Sequence, residues 1–326
     1  MNSRRALVAF AASSPLSWPL GLMAQIAGPI RRIAWLSSSN GPQQLQAEFV
    51  IGLREAGWTQ GENLVLDLRF TEGDPARIAP LTTELLALKP NVFVASTDAL
   101  ARSAAQANKS LPIVFIVGFD PVGTGLVKSL AAPGGNATGF SVLNYELNPK
   151  RLALLKEAMP RLDKVAVLYR DRDEVALTAL LRTEQAGRDL GLEMVRASFK
   201  RPEDLRLVFQ RLAVSSVKAL INVPDPMLIN MRRQLADLAI EHHMAASFGA
   251  TEYADAGMLM AYATDYVSIV RRATVLVDRL LKGAAPADIP VEQANAYELV
   301  LNLRTARVLG IEFPRSVLLQ ATRIIE

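Results

Sequence analysis

The chain has 326 residues, enough for two domains of about 150 residues each, and half of its residues are hydrophobic while 21% are charged, as in an ordinary globular protein. The formal net charge is +4, and loss of Arg4 and Arg5 would leave +2, which is too little to indicate nucleic-acid binding. The absence of cysteine excludes disulfides, cysteine-ligated metals, cysteine nucleophiles and a lipid-modified N-terminal cysteine.

Residues 1–27 have the pattern of an export signal. Arg4 and Arg5 provide the positive start, apolar stretches follow, and Ala24 is the expected cleavage point. The alternative is a retained membrane anchor. It is disfavoured because the apolar stretch is short and broken by Pro15, whereas a membrane span needs about 20 apolar residues. No other segment is apolar enough to span a membrane, so we expect the mature protein not to be membrane-spanning.

From Arg32 onward, strand-like and helix-like segments alternate, and this alternation predicts parallel sheets. In the first half, the predicted strands are Ile33–Leu36, Asn63–Phe70, Val92–Ala95, Ile113–Val117 and Asn136–Phe140. The predicted helices are Gln43–Ala56, a helix from Asp74 to Leu88, one ending near Lys109 and one from Asp120 to Leu130. Asp before Pro at 74 and at 120 is typical of a helix start.

The second half repeats this pattern. Predicted strands Lys164–Tyr169, Val217–Asn222 and Met244–Phe248 correspond to the first, third and fourth strands of the first half. After them we predict a strand at Gly257–Ala263, a helix from Asp265 to about Lys282, an extended Val291–Asn295 and a helix at Glu298–Leu309.

The predicted fold class is therefore α/β, with two Rossmann-like doubly wound lobes. If several crossovers join them, lobe one comprises residues 28–140 plus about 264–290, and lobe two comprises residues 141–263 plus about 291–326.

Open parallel sheets bind ligands beyond the carboxyl ends of their strands, so the loops that follow the predicted strands are the candidate site. Hydroxyls and free N–H groups in these loops suit the anionic end of a small ligand, and Asp120 and Asp225 suit its ammonium end. Phe119 and Phe248 suit the apolar body of such a ligand. Each residue also has a structural explanation. Both aspartates precede proline and could be helix caps, and both phenylalanines could be core residues.

Signals for an enzyme are missing or poor. No dinucleotide-binding G-x-G-x-x-G follows the first strand, and no phosphate-binding G-x-x-x-x-G-K-[ST] or nucleophile G-x-S-x-G occurs. His242 and His243 are the only histidines, and as neighbours at a helix end they cannot face one metal ion together. We therefore expect no catalytic residues, no cofactor and no metal site.

Several segments resemble one bacterial family. The most diagnostic are GENLVLDLRFTEG at residues 61–73 and DPVGTGLV followed by PGGNATG within residues 120–139. The chain resembles the ABC-transporter substrate-binding proteins from about Arg32 to the C-terminus, in the branch that includes tryptophan- and phenylalanine-binding proteins. The resemblance implies a type I periplasmic-binding-protein fold, in which crossover strands join two Rossmann-like lobes that close on a ligand.

By this resemblance, Asp120 and Asp225 are candidates for a ligand amino group. Relatives often carry Asn-Pro where this chain has Arg170–Asp171, and a cation at Arg170 makes an anionic ligand such as a dicarboxylate possible. The resemblance also implies that hydroxyl and amide side chains of the first two strand-end loops face the cleft, namely Ser37, Ser39, Asn40, Ser96 and Thr97.

The resemblance implies a monomeric periplasmic protein that binds an amino acid or small organic acid and delivers it to an ABC permease with its ATPase. Ligand would favour the closed form, with hinges near Phe140–Leu143, Tyr262–Asp265 and Pro290–Val291. A sensor of the same fold that feeds a membrane receptor is the alternative. A Rossmann-type enzyme is a third possibility, for which the cofactor motif and acid–base residues are missing.

Overall fold

The structure is a computed structural model, and it describes residues 29–41, 44–118, 120–142, 144–170 and 174–326. The predicted export signal at residues 1–27 lies outside the described residues. In chain order the strands are β1 (Arg31–Ser37), β2 (Leu64–Phe70), β3 (Val92–Ala95), β4 (Ile113–Val117), β5 (Ala137–Ser141), β6 (Lys164–Arg170), β7 (Glu193–Phe199), β8 (Ala219–Asn222), β9 (Ala245–Phe248), β10 (Met260–Thr264), β11 (Glu292–Gln293), β12 (Tyr297–Asn302) and β13 (Arg323–Ile325).

Helices connect these strands. They are α1 (Gln44–Glu55), α2 (Ile78–Ala87), α3 (Asp98–Ala107), α4 (Asn148–Ala158), α5 (Glu174–Asp189), α6 (Asp204–Val214), α7 (Pro226–Asn230), α8 (Arg232–Glu241), α9 (Thr251–Asp255), α10 (Tyr266–Leu281), α11 (Leu303–Leu309) and α12 (Arg315–Leu318). None of the helices in the described part of the chain is long and apolar enough to cross a membrane.

The strands form two sheets with the same internal order. The first sheet runs β11-β5-β4-β3-β1-β2 with every neighbouring pair parallel, and the second runs β13-β12-β10-β9-β8-β6-β7. Only the β10–β12 pair is antiparallel among the strand pairs described in the second sheet. Because β6, β8 and β9 occupy the places of β1, β3 and β4, the predicted repeat of two doubly wound halves is confirmed.

Each sheet is buried on both faces, as near-continuous apolar strands predict. In β1, Ile33 and Trp35 pack into one core cluster while Ala34 and Leu36 pack into another on the opposite face. The second sheet likewise separates two clusters. This alternation fixes the register of the strands, since a slip by one residue would exchange the two faces.

The chain passes between the sheets three times, after β5, after β10 and between β11 and β12. α10 packs on the first sheet, where Val270 and Val277 join the cluster that contains Ile33. Asp265 caps α10 as predicted, because its carboxylate accepts a hydrogen bond of 2.9 Å from the Ser268 N–H. The crossings bring the carboxyl ends of the two sheets to face each other.

The predicted helix from Asp120 to Leu130 is wrong. The segment forms turns, in which the Thr124 N–H donates to the Asp120 carbonyl and the Leu126 N–H donates to the Pro121 carbonyl. Gly125 has a φ of +71° and stops the turn from propagating.

The predicted helix at Glu298–Leu309 is half wrong. Tyr297–Asn302 forms β12, and only Leu303–Leu309 is helical, ending at Gly310 with a φ of +66°. β12 lies between β10 and β13, so pairing in the sheet and burial of Leu299 and Leu301 override the helical propensity of this stretch.

The close approach of α1 and α10 can be tested at Gly52. A Cβ at this position would lie 2.8 Å from Oγ1 and 2.9 Å from Cγ2 of Thr274, a β-branched side chain with little freedom to move. Gly52→Ala should therefore lower the free energy of unfolding by about 1–2 kcal/mol, although alanine favours helices. Urea denaturation measures this. The double variant with Thr274→Ala should recover most of the loss, and a more stable Gly52→Ala protein would contradict the packing.

Candidate functional site

A cavity of about 490 Å³ lies between the two sheets, at the carboxyl ends of their strands. Loops after β1, β2, β3 and β4 form one wall, loops after β6, β8 and β9 form the other, and the start of α10 contributes to the lining. Apolar walls with a few polar groups at strand ends are typical of a site for a small molecule. The apolar and aromatic lining residues are Trp35, Leu45, Ile78, Leu100, Ile116, Ile229, Tyr253, Tyr266 and Val270.

Several of the residues predicted from sequence line this cavity. They come from both sheets, as a site between two lobes requires. They are Ser37, Ser39, Ser96, Thr97, Arg170 and Asp225.

Serine side chains after β1 and β3 form a small cluster at the first wall. Ser37 Oγ lies 3.0 Å from Ser39 Oγ, and the Ser38 N–H donates to Ser96 Oγ over 3.2 Å. Gln46 Nε2, on α1, donates to Ser37 Oγ over 3.5 Å. β1 and β3 are neighbours in the sheet, and the chain continues from β1 to β2 on one side and from β3 to β4 on the other. The cluster therefore lies at the point where the strand order reverses, which is where such sheets bind ligands.

Thr97 stands at the start of α3, whose first turn lines the cavity. Its backbone is extended, and its side chain makes no capping bond to the helix. The next residue, Asp98, is buried and pairs with Arg102 Nε at 3.2 Å. The Thr97 hydroxyl therefore lies in the cavity lining, at the N-terminal end of a helix whose dipole favours negative charge.

Arg170 and Asp225 form an ion pair in the cavity wall. Arg170 Nε and Nη2 donate to the two carboxylate oxygens of Asp225 at 2.8 and 3.2 Å, with side chains only 11% and 3% exposed. Asp225 Oδ1 also accepts from the Met227 N–H at 2.8 Å and caps α7. Each charge satisfies the other, so the expected roles of Asp225 as an ammonium partner and of Arg170 as an anion partner lose their basis.

Asn40 and Asp120 are not among the residues that line the cavity. Asp120 is exposed, and its carboxylate accepts a hydrogen bond of 2.9 Å from the Val122 N–H. The carboxylate thus closes a local turn and does not cap a helix, so the structure gives no support to an ammonium site at Asp120.

Phe248 is a core residue. Its side chain is fully buried and meets the Tyr253 ring edge-on at a centroid distance of 4.9 Å. Phe248 is not among the residues that line the cavity, so the structure gives no support to an apolar ligand contact there, whereas Tyr253, against which it packs, does line the cavity. Phe119 lies outside the described residues.

Sequence reasoning missed part of the wall. Asn222 is the last residue of β8, a strand-end position that the same rule could have identified. Glu252 and Tyr253 follow β9 on the short helix α9, and Asn144 and Tyr266 lie where the chain passes between the sheets. No sequence motif marks these last two, because only the crossing of the chain brings them to the cavity.

Arg151, on α4, is fully buried behind the cavity wall. Its guanidinium donates to the carbonyl oxygens of Tyr262 at 2.7 Å and Asn144 at 2.9 Å, and to the side-chain oxygens of Asn144 and Asn148. Burial lowers the pKa of Arg151 to about 9, so the group is still charged at neutral pH. A Cβ at Gly249 would lie 2.6 Å from Arg151 Nη2, which explains the glycine there.

Burial and nearby carboxylates raise the pKa of two tyrosine hydroxyls in the cavity wall. Burial, with a contribution from the charge of Glu252, raises the pKa of Tyr266 to about 12. Burial and the charges of Asp225 and Glu252 raise the pKa of Tyr253 well above its usual value. Both phenols are neutral hydrogen-bonding groups at physiological pH.

The described residues contain no group of three or more histidine, aspartate or glutamate side chains that could hold a metal ion. His242 stacks on Phe209 with ring centroids 6.2 Å apart, a packing role away from the cavity.

Comparisons with known proteins agree with this geometry. A family model described as ABC transporter substrate binding protein matches residues 37–325. A tyrosine-binding protein of Clostridioides difficile (strain R20291) is 24% identical over 264 residues, which cover 81% of this chain and 76% of that protein.

Solved structures share the fold. A conserved domain protein from Vibrio cholerae O1 biovar El Tor superposes with a TM-score of 0.84 at 26% identity, covering 90% of this chain and 99% of the other. An ABC domain from Streptococcus pneumonia, solved in complex with L-Trp, superposes with a TM-score of 0.80 at 22% identity and the same coverage.

The buried guanidinium can be tested by removing it. Arg151→Met should lower the free energy of unfolding by about 3 kcal/mol or more, because several buried acceptors lose their donor at roughly 1–3 kcal/mol each. Arg151→Lys should recover little, since an ammonium cannot span the same acceptors. Urea denaturation measures both, with the half-exposed Arg188→Met as control. A stability of Arg151→Met within about 0.5 kcal/mol of wild type, the range of ordinary surface substitutions, would contradict the assigned role.

Glu298 gives a pH-dependent prediction. Burial and the negative charge of Asp265 raise the pKa of Glu298, so the folded state binds its proton more tightly than the unfolded state does. Stability is therefore lost as the pH rises through the folded-state pKa. Glu298→Gln should melt at a higher temperature than wild type at pH 7, and the difference should vanish near pH 4. Melting curves of both proteins test this, with exposed Glu312→Gln as control. An equal difference at both pH values would be inconsistent with the linkage.

Proposed function

The chain belongs to the ABC transporter substrate-binding protein family, and we propose that it is the extracytoplasmic solute-binding component of an ABC importer. The family is one of solute-binding proteins, and the chain has the type I periplasmic-binding-protein fold. The observation that carries the proposal is the cavity itself, whose two walls belong to the strand ends of different sheets. A solute bound there contacts both sheets only when they are close together.

The proposed solute is an amino acid or small organic acid with an apolar or aromatic body. Trp35, Ile116 and Val270 provide an apolar surface, while Ser96 and Thr97 offer hydroxyls for a carboxylate. The tyrosine-binding relative and the relative in complex with L-Trp support this class.

The proposed lobes follow the two sheets. The bounds expected from sequence are residues 28–140 plus about 264–290 for lobe one and 141–263 plus about 291–326 for lobe two. They differ from the sheets at β11, which pairs with β5 in the first sheet and so belongs to lobe one. The segments between the sheets would act as hinges. We further propose export by a signal cleaved near Ala24, a monomeric protein, and delivery of the solute to a membrane permease with its ATPase.

Contacts across the cavity mouth support a closing motion. Asn230 Nδ2 donates to the Ser38 carbonyl oxygen over 3.4 Å, and Gly73 faces the backbone of Met227, where an added Cβ would lie 3.3 Å from Met227 Cα. These residues follow strands of opposite sheets, so their contacts exist only while the cavity is closed.

A solute screen tests the proposed function. The chain from Gln25 would be screened by thermal shift against amino acids, dicarboxylates and aromatic acids. A solute at 100 times its Kd should stabilise the protein by about 2.7 kcal/mol, which is several degrees. Small-angle X-ray scattering should then show a smaller radius of gyration with that solute. The proposal would be contradicted if no solute of the panel raised the melting temperature, or if a bound solute left the radius of gyration unchanged.

Gly73 supplies a matched variant for the closing step. Gly73→Ala adds a Cβ against Met227 only in the closed form, so binding should weaken by about tenfold if crowding costs about 1.4 kcal/mol. Gly191→Ala is the control, because Gly191 has a similar φ of +71° but no heavy atom within 4 Å of its added Cβ. Equal solute affinities of the two variants would argue against closure at the contact between Gly73 and Met227.

A further inference from the structure

We infer that the second wall of the cavity holds a subsite for a protonated amine, formed by the carboxylate of Glu252 and the side-chain oxygen of Asn222. This inference rests on the proposed function and narrows it, because it selects amine-bearing solutes over plain organic acids. Glu252 and Asn222 together form this amine subsite.

Glu252 is distinguished by what the other cavity carboxylates do. Asp74 Oδ1 accepts from the Ala76 N–H at 2.9 Å, Asp98 pairs with Arg102, and Asp225 pairs with Arg170. Glu252 lines the cavity, is half-buried, and has no hydrogen bond or ion pair to any residue that the structure describes. Its charge is therefore available to a ligand.

Asn222 provides an independent observation. The side chain is 2% exposed and lines the cavity, and its Nδ2 donates to the Val223 carbonyl oxygen over 3.2 Å. That bond fixes the amide orientation and leaves Oδ1 buried, with no partner in the described part of the chain. A buried acceptor without a donor costs about 1–3 kcal/mol, which a ligand N–H would remove.

The topology brings the two acceptors to neighbouring loops. Ile221 pairs with Ser247 in the β8–β9 ladder, so Asn222 ends its strand beside the end of β9. The chain continues from β9 into Gly249 and α9, which carries Glu252. Asn222 at the end of β8 and Glu252 on the helix that follows β9 thus lie on neighbouring connections of the second sheet and line the same cavity.

Glu252 has charged neighbours of both signs, since its charge also contributes to the raised pKa of Arg323, whose guanidinium is held by Asp255. The charges of Glu252, Asp265 and Asp255 all contribute to the raised pKa of Glu298, although Asp255 is itself paired with Arg323 at 2.6 and 3.0 Å. Arg151 is an opposing charge nearby, but its N–H groups are directed to backbone and amide oxygens.

Aromatic residues line the cavity beside the subsite. Tyr253 and Tyr266 both belong to the lining, and the charge of Glu252 contributes to the raised pKa of each. A solute with a carboxylate but no amine would leave Glu252 unpaired in a closed cavity, which is unfavourable.

Matched solute pairs test the subsite. L-tyrosine differs from 3-(4-hydroxyphenyl)propanoate, and L-tryptophan from indole-3-propanoate, only by the amine. Calorimetric Kd values should favour the amino acid of a pair by at least about tenfold in wild type, as expected for a hydrogen-bonded charge. Glu252→Gln should abolish that preference, and because no unpaired carboxylate then remains in the cavity, it should bind the deaminated acid at least as tightly as wild type does.

Asp74→Asn is the matched control, since it also removes a negative charge from the cavity lining while keeping an oxygen for the Ala76 N–H. It should retain the amine preference. Asn222→Ser and Glu252→Asp are second variants, the first expected to weaken and the second to restore part of the preference, and melting curves verify that each is folded.

The outcomes separate the two claims. A wild-type protein that prefers the amino acid, with the preference unchanged in Glu252→Gln, overturns the subsite and leaves solute binding intact. A wild-type preference for the deaminated acids does the same. Binding of none of the screened solutes overturns the proposed function and the subsite with it.

Discussion

The buried guanidinium of Arg151 is the constraint on which the cavity wall depends. It joins α4 to the Tyr262 carbonyl on a strand that leads out of the second sheet, and to Asn144 in the segment where the chain passes from the first sheet to the second. A buried charge is tolerated only when its hydrogen bonds are satisfied, so the surrounding backbone must hold its acceptors in place. Gly249 is part of this requirement because a side chain there would collide with Arg151. The same group thereby shapes the cavity and anchors two crossings of the chain.

Much of the fold could be predicted from the sequence, because it depends on local pattern. Apolar strands such as Ile113–Val117 and capped helices such as α10 have strong signatures, and the repeat of the two halves is visible in their order. The errors have tertiary causes. The sequence of β12 has helical propensity, but in the fold it pairs between β10 and β13. The Asp120–Pro121 pattern starts a turn, but Gly125, with its positive φ, prevents that turn from continuing as a helix.

The candidate site was predicted in position more than in chemistry. The strand-end rule identified Ser96 and Thr97, which line the cavity. It could not show that Arg170 and Asp225 neutralise each other, since 55 residues separate them and only the neighbouring positions of β6 and β8 bring them together. For the same reason the available carboxylate was sought at Asp225, whereas the structure leaves it at Glu252. Pairing of charges is decided by the fold, and it determines which groups remain for a ligand.

A crystal structure with bound L-tyrosine or L-tryptophan would show whether a solute joins the two sheets. We expect density for the amino acid between the two sheets, with its carboxylate within hydrogen-bond distance of Thr97 or Ser96 and its amine within that distance of Glu252 and Asn222. Density at another surface, or contacts to residues of only one sheet, would overturn solute binding between the lobes.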